Sequence, residues 1–176
     1  MRLKQGMVQV YTGDGKGKTT AALGQALRAI GHGFMVYMIQ FMKGYREYGE
    51  LEAAKRLYPN LIIEQFGRFT HVIKGKPEKI DVEFAEKGLK KAREIIQSGE
   101  WDIVILDEVN VAINFGLLKL EDVLELIKIK PSHVELILTG RYAPKEILEV
   151  ADLVSEVKEV KHPYHKQIGP RMGIEY

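Results

Sequence analysis

The sequence contains no cysteine, no long apolar run and no large excess of charge of one sign. Without cysteine there can be no disulfide framework, no thiolate metal site and no cysteine nucleophile. The 26 basic and 24 acidic residues give a formal net charge of only +2, whereas dedicated nucleic-acid binders usually carry a strong basic surplus. The longest apolar runs, such as residues 103–106 and 134–138, are far too short to cross a bilayer. We therefore expect neither a nucleic acid nor a membrane among the partners.

The segment that follows Met1 has some positive charge but lacks the apolar stretch of a signal peptide. A cytoplasmic location is therefore expected. Of the 176 residues, 45% are hydrophobic and 28% are charged, as is usual for a globular protein. This length and composition predict a single domain over residues 1–176.

Short apolar runs alternate with helix-like segments along the chain. Strands are predicted at residues 7–11, 34–39, 61–66, 101–106, 134–139 and 153–160. Helices are predicted between them, at residues 18–30, 48–57, 81–98, 120–128 and 144–150. This alternation predicts an α/β fold with a mostly parallel sheet of about six strands and helices on both faces. Ligands of such sheets bind beyond the carboxyl ends of the strands, so residues that directly follow strands are the candidates for function.

A glycine-rich loop at residues 12–20 joins the first predicted strand to the first predicted helix. Its glycines allow successive backbone N–H groups to turn toward one point, and the helix N-terminus adds a dipole that favours an anion. Lys18 supplies a positive charge to phosphate groups, and the Thr19 hydroxyl can ligate Mg²⁺. The loop therefore indicates a site for a nucleoside triphosphate, with ATP as the expected nucleotide.

One position of this loop departs from the usual phosphate-binding pattern, because Thr12 stands where that pattern has glycine. A lysine-rich turn between strand and helix is the simpler alternative. The strand before the loop and the helix after it favour the phosphate site. The nucleotide-binding candidates are then all the loop residues: Thr12, Gly13, Asp14, Gly15, Lys16, Gly17, Lys18, Thr19 and Thr20.

Acidic and basic side chains follow two later strands. Asp107 and Glu108 come directly after the fourth strand, and Arg141 follows the fifth. Mg²⁺ prefers carboxylate and water oxygens, so either acid could bind it directly or through water while the other orients a water or substrate group. A guanidinium at the same edge suits phosphate oxygens. The alternatives are a solvated acidic pair and an ordinary surface arginine.

Taken together, these segments resemble the ATP:corrinoid adenosyltransferases, the family that makes adenosylcobalamin from cobalamin and ATP. The resemblance covers nearly the whole chain. It rests on residues 11–24, 26–29, 31–33, 40–44, 106–110, 139–141, 143–144, 161–163 and 173–176. The Gln-Phe-x-Lys-Gly pattern at 40–44 and the His-Pro pair of the tail are far more particular to this family than the loop is.

The resemblance implies a RecA-like P-loop fold, usually in a homodimer, and it accounts for the threonine at position 12. It implies Mg²⁺, with Mn²⁺ as a possible substitute, a corrinoid substrate and a reduced flavoprotein as electron donor. Carried over by position, Lys18 and Arg141 neutralise the triphosphate and are the catalytic candidates, while Thr19 and Glu108 serve the metal. Only through the resemblance do Arg28 and Asn110 become nucleotide contacts.

The chemistry that the resemblance implies needs no proton transfer. The cobalt of a cob(I) corrinoid attacks C5′ of ATP, and inorganic triphosphate leaves. The enzyme must align cobalt with C5′ and stabilise the departing charge. This explains why the sequence offers no obvious Ser-His-Asp or Cys-His set.

On the corrinoid side, the resemblance points to Phe69, His71 and His162. Phe69 is kept from a family Gly-x-Phe-Thr-Trp stretch that is thought to displace the lower cobalt ligand, but His71 stands where tryptophan is common. A histidine could coordinate cobalt, and an ordinary loop histidine is the alternative. His162 lies in the His-Pro-Tyr tail, where a turn is as good an explanation as a metal ligand.

Two further departures concern the surroundings of the site. Tyr142 follows Arg141 where the family usually has glycine. The chain also begins almost at its first strand, so any lid over the corrinoid is expected from the tail or from a partner subunit. Two other functions stay open: an ordinary P-loop ATPase or small-molecule kinase, and a module that binds nucleotide or corrinoid without catalysis.

Overall fold

The structure is a computed structural model that describes residues 2–44, 48–70 and 72–176. The strands are β1 (Val8–Thr12), β2 (Val36–Phe41), β3 (Leu61–Phe66), β4 (Ile103–Asp107), β5 (Glu135–Thr139) and β6 (Leu153–Glu156). The α-helices are α1 (Lys18–Ile30), α2 (Gly49–Leu57), α3 (Lys79–Ser98), α4 (Val109–Asn114), α5 (Leu120–Ile129) and α6 (Lys145–Val150), and a 3₁₀ turn covers Pro163–Lys166.

All six strands form one parallel sheet in the order β3-β2-β4-β5-β1-β6. The predicted α/β fold with a parallel sheet is therefore confirmed. The register aligns the strand ends that matter for function: Gln40 pairs with Asp107, and Tyr11 pairs with Thr139. Since parallel strands all end at the same edge, the segments that follow them gather above that edge.

Side chains that alternate along the strands form two apolar layers, one on each face of the sheet. On β4, Val104 and Leu106 belong to the layer that contains residues of α3, α4, α5 and α6, while Ile103 and Ile105 belong to the layer with α1 and α2. Helix α1 packs through alanines, which lets its backbone lie close to the strands and keeps its first turn near the sheet edge.

The structure differs from the predicted elements at two places near that edge. Helix α4 was not predicted; it begins directly after β4 because Glu108 adopts a left-handed backbone conformation, with φ of 61°. The last strand was predicted over 153–160 but ends at Glu156. The next residue leaves the sheet and contacts the glycine-rich loop instead: the Val157 carbonyl accepts a 2.7 Å hydrogen bond from the Gly15 N–H.

Candidate functional site

The glycine-rich loop connects β1 to α1 at the carboxyl edge of the sheet. Gly17 precedes the helix with φ of 123°, a backbone conformation that residues other than glycine rarely adopt. Gly15 lies so close to the segment after β6 that a Cβ atom there would be 2.7 Å from the Lys158 carbonyl carbon and oxygen. These glycines therefore set the path of the loop and its contact with the segment that follows β6.

Lys18, the first residue of α1, lies inside the loop. Its ammonium group donates hydrogen bonds of 2.7 Å to the carbonyl oxygens of Gly13 and Gly15. The residue is only 7% exposed, and burial lowers the pKa of Lys18, while the neighbouring Glu108 opposes that shift. A cation kept in place by backbone carbonyls is ready to meet an anion that the loop binds.

Asp107 ends β4 and is fully buried. Its Oδ1 accepts hydrogen bonds from the hydroxyls of Thr19, at 2.8 Å, and Thr139, at 2.7 Å. Its Oδ2 accepts from the ammonium of Lys43, at 2.8 Å, and the side-chain amide of Gln40, at 3.2 Å. Both oxygens are thus occupied by protein donors.

Glu108 is the acid of the pair that faces open space. Its backbone N–H donates to the Thr139 hydroxyl at 3.0 Å, and Glu108 lines a cavity over the loop. Burial, and next the charge of Asp107, raise the pKa of the Glu108 carboxyl, while Lys43, Lys18 and Arg141 lower it less strongly. A cation placed beside this carboxylate would stabilise its ionised form.

A cavity of about 690 Å³ lies over the loop and the strand ends, a size usual for small-molecule sites. Among the described residues, four lysine and arginine side chains line it: Lys16, Lys18, Lys43 and Arg141. An apolar wall from α1, α2 and the start of β3 contributes Leu23, Leu27, Ala53, Leu57 and Leu61. The tail adds His162, Gly173, Ile174, Glu175 and Tyr176.

The predicted nucleotide contacts differ in whether they line this cavity. Thr20 lines it, and Arg141 lines it from an exposed position after β5. Asp14 is exposed on the loop, and Arg28 is exposed on α1 one residue beyond the lining residue Leu27. Each of these roles stays a prediction.

Two predicted contacts lie deeper. Thr12, at the end of β1, accepts a 3.4 Å hydrogen bond from the Ala143 N–H at its hydroxyl. Asn110, on α4, is fully buried; its amide nitrogen is 3.5 Å from the Gly140 carbonyl oxygen, and its side-chain oxygen has no hydrogen-bond partner among the described residues. An unpaired buried amide oxygen is costly, and it lies on the helix that follows the acidic pair.

The corrinoid candidates fall in two places. Phe69 is 62% exposed and lines a small second cavity of about 40 Å³ together with Lys43 and Arg68. His162 lines the large cavity, and its Nδ1 accepts a hydrogen bond from the Tyr164 N–H at 3.1 Å. His71 lies outside the described residues.

Residues that the sequence reasoning did not single out also line the cavity. Lys43 belongs to the Gln-Phe-x-Lys-Gly pattern, on which the resemblance partly rests but which predicts no role for this residue. At the other side, two tail residues line the cavity beside Lys16. The Ile174 carbonyl accepts a 3.1 Å hydrogen bond from the Lys16 ammonium, and a Glu175 carboxylate oxygen lies 4.0 Å from that ammonium. The position of Lys43 two residues after a strand was the available signal, whereas nothing in the sequence pairs residue 16 with the tail.

Two oxygen groups that could serve as ligands of a divalent cation line the cavity, the Thr19 hydroxyl and the Glu108 carboxylate. Within the described residues, no group of three or more His, Cys, Asp or Glu side chains could hold a metal ion. An all-oxygen set of one hydroxyl and one carboxylate, completed by phosphate and water, matches the preference of Mg²⁺. In the described part of the chain, no helix is both long and apolar enough to cross a membrane.

The chain is similar to known proteins over almost its whole length. A family model described as "ATP:corrinoid adenosyltransferase BtuR/CobO/CobP" matches residues 4–176. The chain is 35% identical over 176 residues to a corrinoid adenosyltransferase of Sinorhizobium sp., covering 98% of this chain and 81% of the relative. It is 34% identical over 173 residues to the corrinoid adenosyltransferase CobA of Salmonella typhimurium, covering 98% and 87%.

Two further matches are informative in a narrower way. An uncharacterized protein of Nostoc sp. is 39% identical over 170 residues, which cover 90% of this chain and 45% of that protein. Among solved structures, a KaiC-like protein of Pyrococcus horikoshii superposes with a TM-score of 0.57 at 19% identity, over 89% of this chain and 75% of the other. This structural likeness shows the P-loop fold alone, whereas the family match and the curated relatives span almost the whole sequence. The chain therefore belongs to the ATP:corrinoid adenosyltransferase family.

Proposed function

We propose that this protein transfers the 5′-deoxyadenosyl group of ATP to the cobalt of a reduced corrinoid, cob(I)alamin or cob(I)yrinic acid a,c-diamide, and releases triphosphate. The observation that carries the proposal is the convergence of Lys16, Lys18, Arg141 and the glycine-rich loop on one cavity. A leaving triphosphate carries several negative charges, and positive groups fixed in advance stabilise such charge with little reorganisation.

The reaction balances without an acid or a base. Cobalt(I) supplies an electron pair to C5′, the C5′–O5′ bond breaks, and the electron pair of that bond leaves with the triphosphate. The residues of this chain bind the phosphates through the loop, and Lys18 and Arg141 offset their charge. The apolar wall beside the loop lets a flat organic group lie next to the phosphates out of water.

Mg²⁺, or Mn²⁺ in its place, fits the oxygen ligands Thr19 and Glu108 and would supply charge neutralisation for the triphosphate. Asp107 would act on the metal through Thr19, because both of its oxygens already accept hydrogen bonds from protein donors. Phe69, His71 and His162 would contact the corrinoid, and Arg28 and Asn110 the nucleotide.

The proposal extends to the surroundings of the enzyme. A cob(I) corrinoid forms by one-electron reduction of the cob(II) state, and we propose a reduced flavoprotein in the cytoplasm as the donor. We also propose a homodimer, which light scattering after size-exclusion chromatography would test against the 20.0 kDa mass of one chain.

The decisive experiment is product analysis. The protein is incubated with ATP, Mg²⁺ and chemically reduced cobalamin, and both adenosylcobalamin and the phosphate products are measured, with the Salmonella relative in parallel. We expect adenosylcobalamin and triphosphate in equal amounts, and neither without the reductant. ADP as product would instead indicate an ordinary P-loop ATPase or kinase. ATP binding without any product would indicate a non-catalytic module.

A further inference from the structure

The segment after β2 returns the chain toward the middle of the sheet edge. Met42 has φ of 59°, which turns the chain sharply as it leaves the strand. Gly44 then crosses the segment after β3 so closely that a Cβ atom on it would lie 2.2 Å from the Gly67 carbonyl oxygen. A Cβ atom on Gly67 would in turn lie 2.6 Å from the backbone nitrogen of Lys43. This backbone crossing fixes where the Lys43 side chain begins.

The Lys43 side chain reaches from this crossing to the end of β4. Its ammonium lies 2.8 Å from Asp107 Oδ2 and 3.9 Å from Glu50 Oε1. Its side chain is only 17% exposed, and that of Asp107 is fully buried. Gln40, from the same pattern, donates to Asp107 Oδ2 and to Glu50 Oε1, at 3.2 Å in each case. The pattern therefore supplies both donors that hold one oxygen of the buried carboxylate.

The other oxygen of Asp107 accepts the hydrogen bond from the Thr19 hydroxyl. A hydroxyl that donates its proton to a carboxylate keeps its lone pairs directed elsewhere, which is the arrangement that a metal ligand needs. We propose that Lys43 is a positioning residue of the metal–nucleotide site: by holding Asp107 at Oδ2, it fixes the Thr19 hydroxyl that is bound at Oδ1. This inference rests on the proposed function, because it assumes that the loop binds a metal–nucleotide complex.

The contacts favour this indirect role over direct binding of phosphate by Lys43. The ammonium already lies between two carboxylates, and moving it to a phosphate would leave buried Asp107 without its cationic partner, which is unfavourable. Lys16 provides the contrast within the same cavity. It lies on the loop itself, has 40% of its side chain exposed, and is not among the donors to Asp107.

The test compares ATP affinity with Mg²⁺ and with EDTA, by titration calorimetry in the absence of corrinoid. The ratio of the two dissociation constants measures how much the metal strengthens binding. In Lys43→Met we expect this ratio to fall by about tenfold, the lower end of the range for loss of a metal ligand's outer-shell partner, because Lys43 acts through that partner, Asp107. Affinity in EDTA should be unchanged within about threefold. Lys43→Arg should restore part of the ratio. Lys16→Met should weaken binding equally in both conditions and leave the ratio unchanged.

The double variant Lys43→Met/Asp107→Asn guards against a Lys43→Met chain that does not fold, because it leaves no unpaired buried charge. Its ratio should lie within about twofold of that of Asp107→Asn alone. A Lys43→Met protein that binds ATP with the wild-type ratio would overturn the inference and leave the proposed function intact, as would a further large loss in the double variant. A wild-type protein that fails to bind ATP at all would overturn the proposed function and this inference with it.

Discussion

The Thr19 hydroxyl donates a 2.8 Å hydrogen bond to Asp107 across 88 residues of sequence. This bond ties the first turn of α1 to the end of the central strand β4. Thr19 was predicted for the metal site from the glycine-rich loop and Asp107 from its position after a strand, but the sequence alone left open whether Asp107 acts directly. The bond favours an indirect role, in which Asp107 orients Thr19 and Glu108 is the carboxylate that faces the cavity.

Replacement of Lys18 by alanine should abolish most of the adenosyl transfer. The variant loses the buried ammonium that lies within the loop, and removal of one group that stabilises transition-state charge typically lowers kcat by about 100-fold or more. Initial rates of adenosylcobalamin formation provide the measurement. Lys90→Ala, at an exposed position of α3, is the matched control and should retain the wild-type rate. A Lys18→Ala enzyme of normal rate would show that the loop is not the triphosphate site.

Replacement of Glu108 by glutamine should remove the metal dependence while stabilising the metal-free fold. Burial raises the pKa of the Glu108 carboxyl, which means that its ionised form is disfavoured in the folded protein. The neutral amide avoids this cost, so we expect a higher melting temperature than wild type in EDTA at neutral pH. Calorimetric titration should show little gain in ATP affinity on adding Mg²⁺. If Mg²⁺ strengthened binding in this variant as it does in the wild type, Glu108 would not be a metal ligand.

The ion pair of Arg68 with Asp81 should make stability depend on pH in the acid range. Arg68 donates to both carboxylate oxygens, at 2.6 and 2.9 Å, and these bonds hold the pKa of Asp81 below its usual 3.8. A folded-state pKa that is depressed contributes stability above the unfolded value, and this stability is lost as the pH falls through the folded value. Arg68→Met should therefore melt a few degrees lower than wild type at pH 7, with a difference that shrinks below about pH 4.

The control for this prediction is Arg93→Met, which removes an ion pair to Glu125, a side chain that is 54% exposed. Exposed pairs contribute little to stability, so its melting temperature should change less at every pH. Equal, pH-independent shifts in the two variants would contradict the role given to Asp81.

Tyr142 occupies a left-handed backbone conformation, with φ of 62°, at the position where the resemblance led us to expect glycine. Such a conformation costs about 1–2 kcal/mol for most residues and nothing for glycine. Tyr142→Ala removes the ring, which has the Lys74 ammonium 5.2 Å from its centroid, but keeps the backbone cost. Tyr142→Gly removes both. We expect the glycine variant to melt about 2–4 °C above the alanine variant, and a glycine variant that melts lower would contradict the strain.

Much of the fold could be predicted from the sequence, because its signals are local. Apolar runs mark the strands, and Gly17 with Lys18 marks the change from loop to helix. Helix α4 escaped prediction since it has only six residues and begins at Val109, one residue after β4. The end of the last strand was missed because Val157 leaves the sheet to contact the loop, a contact between distant segments.

The site was predictable as a set of residue types but not as a set of bonds. Position after a strand identified Asp107, Glu108 and Arg141 as candidates at one edge. The partners of Asp107 come from three other segments, so the sequence could not show that both its oxygens are occupied. The sequence predicts no role for Lys43, because the turn at Met42 that directs it to Asp107 is visible only in the structure.

The crossing of Gly44 over Gly67 brings the segment after β2 into contact with the segment after β3. The small cavity is bounded by residues of both crossing segments, including Lys43 and Phe69. A molecule that displaced the segment around Phe69 would press on the backbone beneath Lys43, since no space separates the two glycines. Binding of a molecule beside Phe69 would then change the affinity of the loop beside Asp107 for nucleotide. Thermodynamic linkage requires that nucleotide binding change the affinity for that molecule by the same factor.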